Sequence, residues 1–177
     1  SLEQVLVGLS FFMPLVVLPS SFIFPFIVPK ILLFRSIVLI MLAAYGLLLY
    51  INWDKYRPRV TPLNLAVLGF WLSFAISTFV GVDWYRSFWD NHERMLGLFT
   101  VTHYVLFYYI VVAVLKDRQQ WQTLIRWFLG AGRLVMLIAL LQKVDPELLL
   151  NRGSGRVSAT LGNPIYVSGY GLFLLFF

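Results

Sequence analysis

The sequence contains no cysteine, and only 12% of its 177 residues are charged. Without cysteine there is no disulfide framework, no thiolate metal site and no cysteine nucleophile. The shortage of charge is equally informative. Soluble domains carry about 25% charged residues, and half that amount excludes an ordinary water-soluble domain. Histidine is scarce too: His92 and His103 are the two present, too far apart in sequence for a local metal pair. A phosphate-binding P-loop, a His-Glu-x-x-His motif and an Asp-x-Asp motif are all missing. Asp145-Pro146-Glu147 is the closest acidic pair, and it falls short of the oxygen ligands that a divalent cation requires.

Apolar residues make up 60% of the chain and aromatic residues 18%, with a mean hydropathy of +0.81. That composition excludes a disordered tail and predicts an all-α, multi-pass transmembrane helical bundle. A helix needs roughly 20 predominantly apolar residues to cross a bilayer core. Five runs meet that length: Val5–Val28, Ile31–Ile51, Leu63–Val80, Leu96–Leu115 and Trp121–Leu141. A sixth opens at Pro164 and is still apolar at Phe177, which reads as a span cut short in the N-terminal part of one larger polytopic domain. A re-entrant last segment is the alternative. The first run carries Pro14, Pro19 and Pro25 and is followed by Pro29. Proline removes a helix hydrogen bond, so this span is expected to be bent and packed, with Pro25 and Pro29 shaping the turn into the second.

The net charge of +6 comes from basic residues scattered between apolar runs. This pattern offers no stripe for nucleic acid and points to the lipid bilayer and a phosphorylated lipid as partners. The connections Asn52–Pro62 and Lys116–Gln120 hold five basic residues in sixteen, whereas Gly81–Met95 and Gln142–Asn163 hold five in thirty-seven. Weighed by density near helix ends, the N-terminus is expected in the cytoplasm and the longer connections outside. Lys30 and Arg35 oppose this, although Arg35 is long enough to snorkel to the nearer interface.

Three segments carry chemistry. Residues 83–95 place Trp84, Tyr85, Phe88, Trp89, His92 and Met95 at spacings of three and four, which predicts one amphipathic interfacial helix. It serves either as an aromatic anchor or as a platform beside a lipid-carried substrate. Within the fifth span, Arg133 is costly at lipid depth, by about 2.5–3.5 kcal/mol. It therefore calls for a watery cavity or for carbonyls of a neighbouring helix, and Arg126 lies on nearly the same face. His103, among hydroxyl-bearing neighbours, reads as a hydrogen-bonded core histidine. The third segment, Asn151–Tyr166, holds Arg152, Arg156, three glycines and several hydroxyls before an apolar run that starts at Pro164. Pro164 suits the first helical position and Asn163 the cap. Such a helix start presents N–H groups to an anion, so the segment is either an anion site or a capped polar turn.

Three stretches resemble the bacterial O-antigen ligase/polymerase superfamily. Phe24-Pro25-Phe26-Ile27-Val28-Pro29-Lys30 is similar to a run in one branch of it. Ser87-Phe88-Trp89 followed by Glu93-Arg94-Met95-Leu96-Gly97-Leu98 is similar to its "SFW…ERM-G-L" segment, and Arg156–Pro164 to its "R-x-S-x-T-x-G-N-P" segment. Ile165 departs from the "G-N-P-N" form, and Arg133 matches no family position. The resemblance implies a metal-independent, cofactor-free glycosyltransferase in the bacterial plasma membrane. It would move a glycan from undecaprenyl pyrophosphate to an acceptor lipid, polymer or protein at the outer face. The usual base candidate, a histidine in a large outer loop, would lie beyond Phe177, so this stretch alone is expected to be inactive. Arg156, Arg152, Asn163 and Thr160 would bind pyrophosphate or glycan, supported by Glu93, Arg94 and Arg133. A flippase of lipid-linked glycans and a non-catalytic scaffold are the competing classes.

Overall fold

The computed structural model describes residues 2–18, 24–91, 94–150 and 156–176, and these are helical with no strand among them. Among the described residues the α-helices are, in order, α1 (Leu2–Ser10), α2 (Val28–Ile51), α3 (Trp53–Tyr56), α4 (Pro62–Val80), α5 (Trp84–Trp89), α6 (Leu98–Val114), α7 (Arg118–Val144) and α8 (Pro164–Leu175). Short 3-10 turns occupy Met13–Leu15 and Leu148–Leu150.

Among the described residues, three helices are long and apolar enough to cross a membrane: α2, α4 and α7, with mean hydropathies of 2.3, 1.8 and 1.9 over their most apolar windows. They coincide with the second, third and fifth runs. Among the described residues the other expected spans appear as shorter apolar helices. The run Val5–Val28 is interrupted: α1 stops at Ser10, Pro14 falls inside a 3-10 turn, and the backbone is extended at Val16. Pro14 has no N–H to donate and its ring crowds the carbonyl four residues back, that of Ser10, so the run breaks there where bending alone was expected. The Leu18 N–H donates to the Pro25 carbonyl at 3.2 Å ahead of α2. Helix α6 has 17 residues, about 26 Å at 1.5 Å per residue, and α8 has 12. The described residues are thus all-α, with three helices of spanning length among them.

The expected interfacial helix over 83–95 is also shorter. It runs Trp84–Trp89, capped by the Asp83 carboxylate, which accepts from the Arg86 N–H at 3.0 Å. It stops at Asp90, whose φ of 62° is incompatible with a continuing right-handed helix. Arg94 lies in a turn, its N–H donating to Asn91 Oδ1 at 2.8 Å.

The chain forms two compact units. The first comprises residues 1–6 and Ile31–Asp117, hence most of α2 with α3–α6. Its core draws Val38, Met41 and Tyr45 from α2 and Leu98, Ile110 and Val111 from α6. Polar bonds fasten α4 to α6 inside this apolar setting. Tyr108 Oη donates to Asn64 Oδ1 (2.7 Å), Tyr109 Oη to the Asn64 carbonyl (2.6 Å) and Trp71 Nε1 to Thr102 Oγ1 (3.0 Å). Between helices in lipid, where apolar burial gives little preference, such bonds fix register.

The second unit comprises Val7–Lys30 and Arg118–Phe177. Here α7 and α8 pack with Val135, Ala139, Ala159 and Val167 at the centre, flanked by Leu15, Met136 and Leu161. The close approaches are made by glycine. A methyl group on Gly132 would collide with Leu174, and one on Gly8 with the Trp127 ring.

Candidate functional site

The segment after Arg156 folds as a tight turn. Ser158, Ala159 and Thr160 are buried, and the Ser158 carbonyl accepts from both the Leu161 and Gly162 N–H groups at 3.1 Å. Ala159 and Gly162 take positive φ, 45° and 75°. Such a φ strains a residue with a Cβ, so Ala159 needs a specific grip. Gln142 of α7 supplies it. This fully buried amide accepts from the Ser158 N–H (3.1 Å) and Ala159 N–H (2.7 Å) through Oε1. Through Nε2 it donates to the Leu148 carbonyl (2.9 Å) and the Ala159 carbonyl (3.4 Å). A primary amide suits the place because it both donates and accepts.

The turn leads straight into α8. Asn163 caps that helix, its Oδ1 accepting from the Ile165 N–H at 2.9 Å, and Pro164 takes the first turn, as the spacing predicts. Lys30 reaches the same place from the start of α2. Its ammonium donates to the Thr160 carbonyl and lies 5.8 Å from the Phe26 ring centre. The Phe26 ring also covers Gly162, where an added Cβ would strike it. Thr160 Oγ1 is buried and has no hydrogen-bond partner among the described residues. Arg156, exposed, stands at the head of the turn. Within the second unit, Thr160 and Asn163 from the expected site lie on one turn that Lys30 reaches, and Arg156 precedes that turn in the chain.

The other expected residues distribute differently. Arg152 and Glu93 lie outside the described residues. Arg94 belongs to the first unit and is exposed. Arg133 is exposed on α7 and makes no hydrogen bond or ion pair among the described residues. The reason is the register of α7. Ala131, Gly132, Val135, Ala139 and Gln142 form its buried face, and Arg133 projects from another side. Arg126 is exposed as well.

In the first unit, Arg35 does not snorkel. It is 8% exposed, and its Nη2 donates to the Met95 carbonyl (3.1 Å) and to Thr100 Oγ1, with the guanidinium 4.8 Å above the Phe99 ring. His103 is the core histidine its neighbours predict, its Nδ1 2.7 Å from the Phe99 carbonyl, although Nε2 has no partner among the described residues. Outside the apolar helices, Lys116 has its pKa lowered, first by burial and second by the nearby Arg59 charge.

Sequence reasoning missed Lys30, Gln142 and Arg35 as organising residues. Lys30 had one signal, its place at the end of the Phe24–Lys30 run; Gln142 had none. No family model, no curated protein and no solved structure matches this chain.

Proposed function

We propose that the protein is part of a membrane glycan transferase of the O-antigen ligase/polymerase type. It takes a glycan from undecaprenyl pyrophosphate at the outer face of the bacterial plasma membrane, with its N-terminus in the cytoplasm. The observation that carries this reading is the cluster at the start of α8. There Arg156 heads a turn whose Thr160 carbonyl receives the Lys30 ammonium and whose end is the Asn163-capped helix start. Transfer from a pyrophosphate carrier requires stabilisation of the charge that develops on the leaving diphosphate. Fixed cations and helix N–H groups provide this, and guanidinium matches phosphate oxygens through paired donors.

In this reading Arg156, with Arg152, contacts the pyrophosphate. Asn163 holds the helix start, and beside it the buried Thr160 hydroxyl has no hydrogen-bond partner among the described residues. Removing a charge-assisted hydrogen bond costs roughly 1.5–3 kcal/mol, about one to two powers of ten in rate when felt in the transition state. Arg156→Ala in the full chain should lower transfer of carrier-linked glycan by that factor per folded molecule, and Arg156→Lys should recover only part. A purely structural Arg156 would instead lower abundance while leaving specific activity intact, and wild-type specific activity in Arg156→Ala overturns the assignment.

A further inference from the structure

A second polar site lies in the first unit, away from the Arg156 turn in sequence and composition. The C-terminal end of α4, the short α5 and the start of α6 line an open cavity of about 280 Å³, with Ser77, Thr78, Arg86, Ser87, Asp90 and Gly97 among its walls. This is just below the ~300–1,000 Å³ of clefts that take drug-sized ligands, a size for a headgroup. Close backbone approach builds it: a Cβ on Gly97 would strike the Phe88 carbonyl and the Asp90 nitrogen. The Asp90 carboxylate is fixed by accepting from the Leu96 N–H at 2.9 Å through one oxygen.

The charges of this cavity are opposite and unspent. Arg86 and Asp90 are four residues apart, yet they form no ion pair with each other, and the Arg86 guanidinium has no partner among the described residues. The hydroxyls of Ser77 and Ser87 likewise make no hydrogen bond within the described residues. The surroundings are those of a membrane boundary. Helix α4, of spanning length, ends at Val80 beside the cavity, and Trp84, Tyr85 and Trp89 of α5 are exposed, as aromatic side chains are at the headgroup layer.

We propose that this cavity holds a phosphoethanolamine group carried by a membrane lipid. The phosphate is held by Arg86 and the serine hydroxyls, and the primary ammonium by the second oxygen of Asp90. A guanidinium and a carboxylate kept apart match a zwitterion, whereas an anionic headgroup without an amine would leave Asp90 facing like charge. A quaternary ammonium has no N–H to donate and fits Asp90 less well. The site is independent of the glycan-transfer reading and stands if that reading fails.

The test is lipid retention from vesicles of equimolar phosphatidylethanolamine, phosphatidylcholine and phosphatidylglycerol. The full chain is reconstituted, stripped of bulk lipid and read by mass spectrometry. Wild type should retain phosphatidylethanolamine several-fold over the other two. Arg86→Ala and Asp90→Asn should each return the ratio to that of the vesicles. Neither change removes a fold contact: Arg86 is exposed, and asparagine keeps an oxygen for the Leu96 N–H. Equal retention of phosphatidylcholine removes the role of Asp90, and unchanged selectivity in both variants overturns the site. Binding of soluble phosphoethanolamine with no enrichment of its lipid overturns the lipid as the source.

Discussion

Each unit fastens an inter-helix connection with one buried polar side chain, and the two side chains differ in kind. In the second unit neutral Gln142 holds Leu148, Ser158 and Ala159. In the first, charged Arg35 holds Met95 and Thr100. The amide meets a mixture of N–H and C=O groups and answers both. The guanidinium only donates, so what it meets is carbonyl and hydroxyl oxygen, and its Nε is left without a partner among the described residues. A backbone turn that exposes donors inward selects an amide; one that exposes only acceptors tolerates a cation, provided an aromatic face such as Phe99 shares its burial.

This contrast predicts unequal costs. Gln142→Leu preserves bulk but strands the Ser158 and Ala159 N–H groups and the Leu148 carbonyl. At about 1–3 kcal/mol per buried unsatisfied group, the loss should reach at least about 3 kcal/mol, read as a fall in the thermal midpoint of reconstituted protein. A fall of less than about 1 kcal/mol would mean that the turn does not depend on the amide. Asn163→Ala removes only a cap and should cost about 1 kcal/mol, with the fold of the Ser158–Gly162 turn retained. Arg35→Met should cost least, within about 1 kcal/mol. Thr100 Oγ1 still donates to the Met95 carbonyl, and deleting a buried cation recovers its desolvation penalty. If Arg35→Met proved more damaging than Gln142→Leu, the comparison would be inverted.

The parts of the fold legible in the sequence are those set by local pattern. The runs without internal proline became α2, α4, α6 and α7, and the Asn163-Pro164 pair marked the start of α8, because a cap depends on residues two or three apart. The first run misled because hydropathy averages over prolines that stop a helix. The interfacial helix misled because the aromatic spacing persists beyond Asp90, where the backbone turns to positive φ. In the candidate site, Arg156, Thr160 and Asn163 were visible as neighbours in sequence. Lys30 was not, since it meets a carbonyl 130 residues away, nor was Arg35, whose partner is 65 residues distant. Such pairings are properties of helix packing, which composition does not encode.

The central claim, that the turn at the start of α8 receives a pyrophosphate, is tested most directly by equilibrium binding of undecaprenyl pyrophosphate and undecaprenyl monophosphate to the full chain in nanodiscs. Wild type should bind the pyrophosphate more tightly. Arg156→Ala and Lys30→Met, each checked for an unchanged thermal midpoint, should each weaken it by about tenfold, equivalent to 1.4 kcal/mol, with a smaller effect on the monophosphate. Equal affinity for the two carriers in wild type, or pyrophosphate binding unchanged in both folded variants, would contradict it.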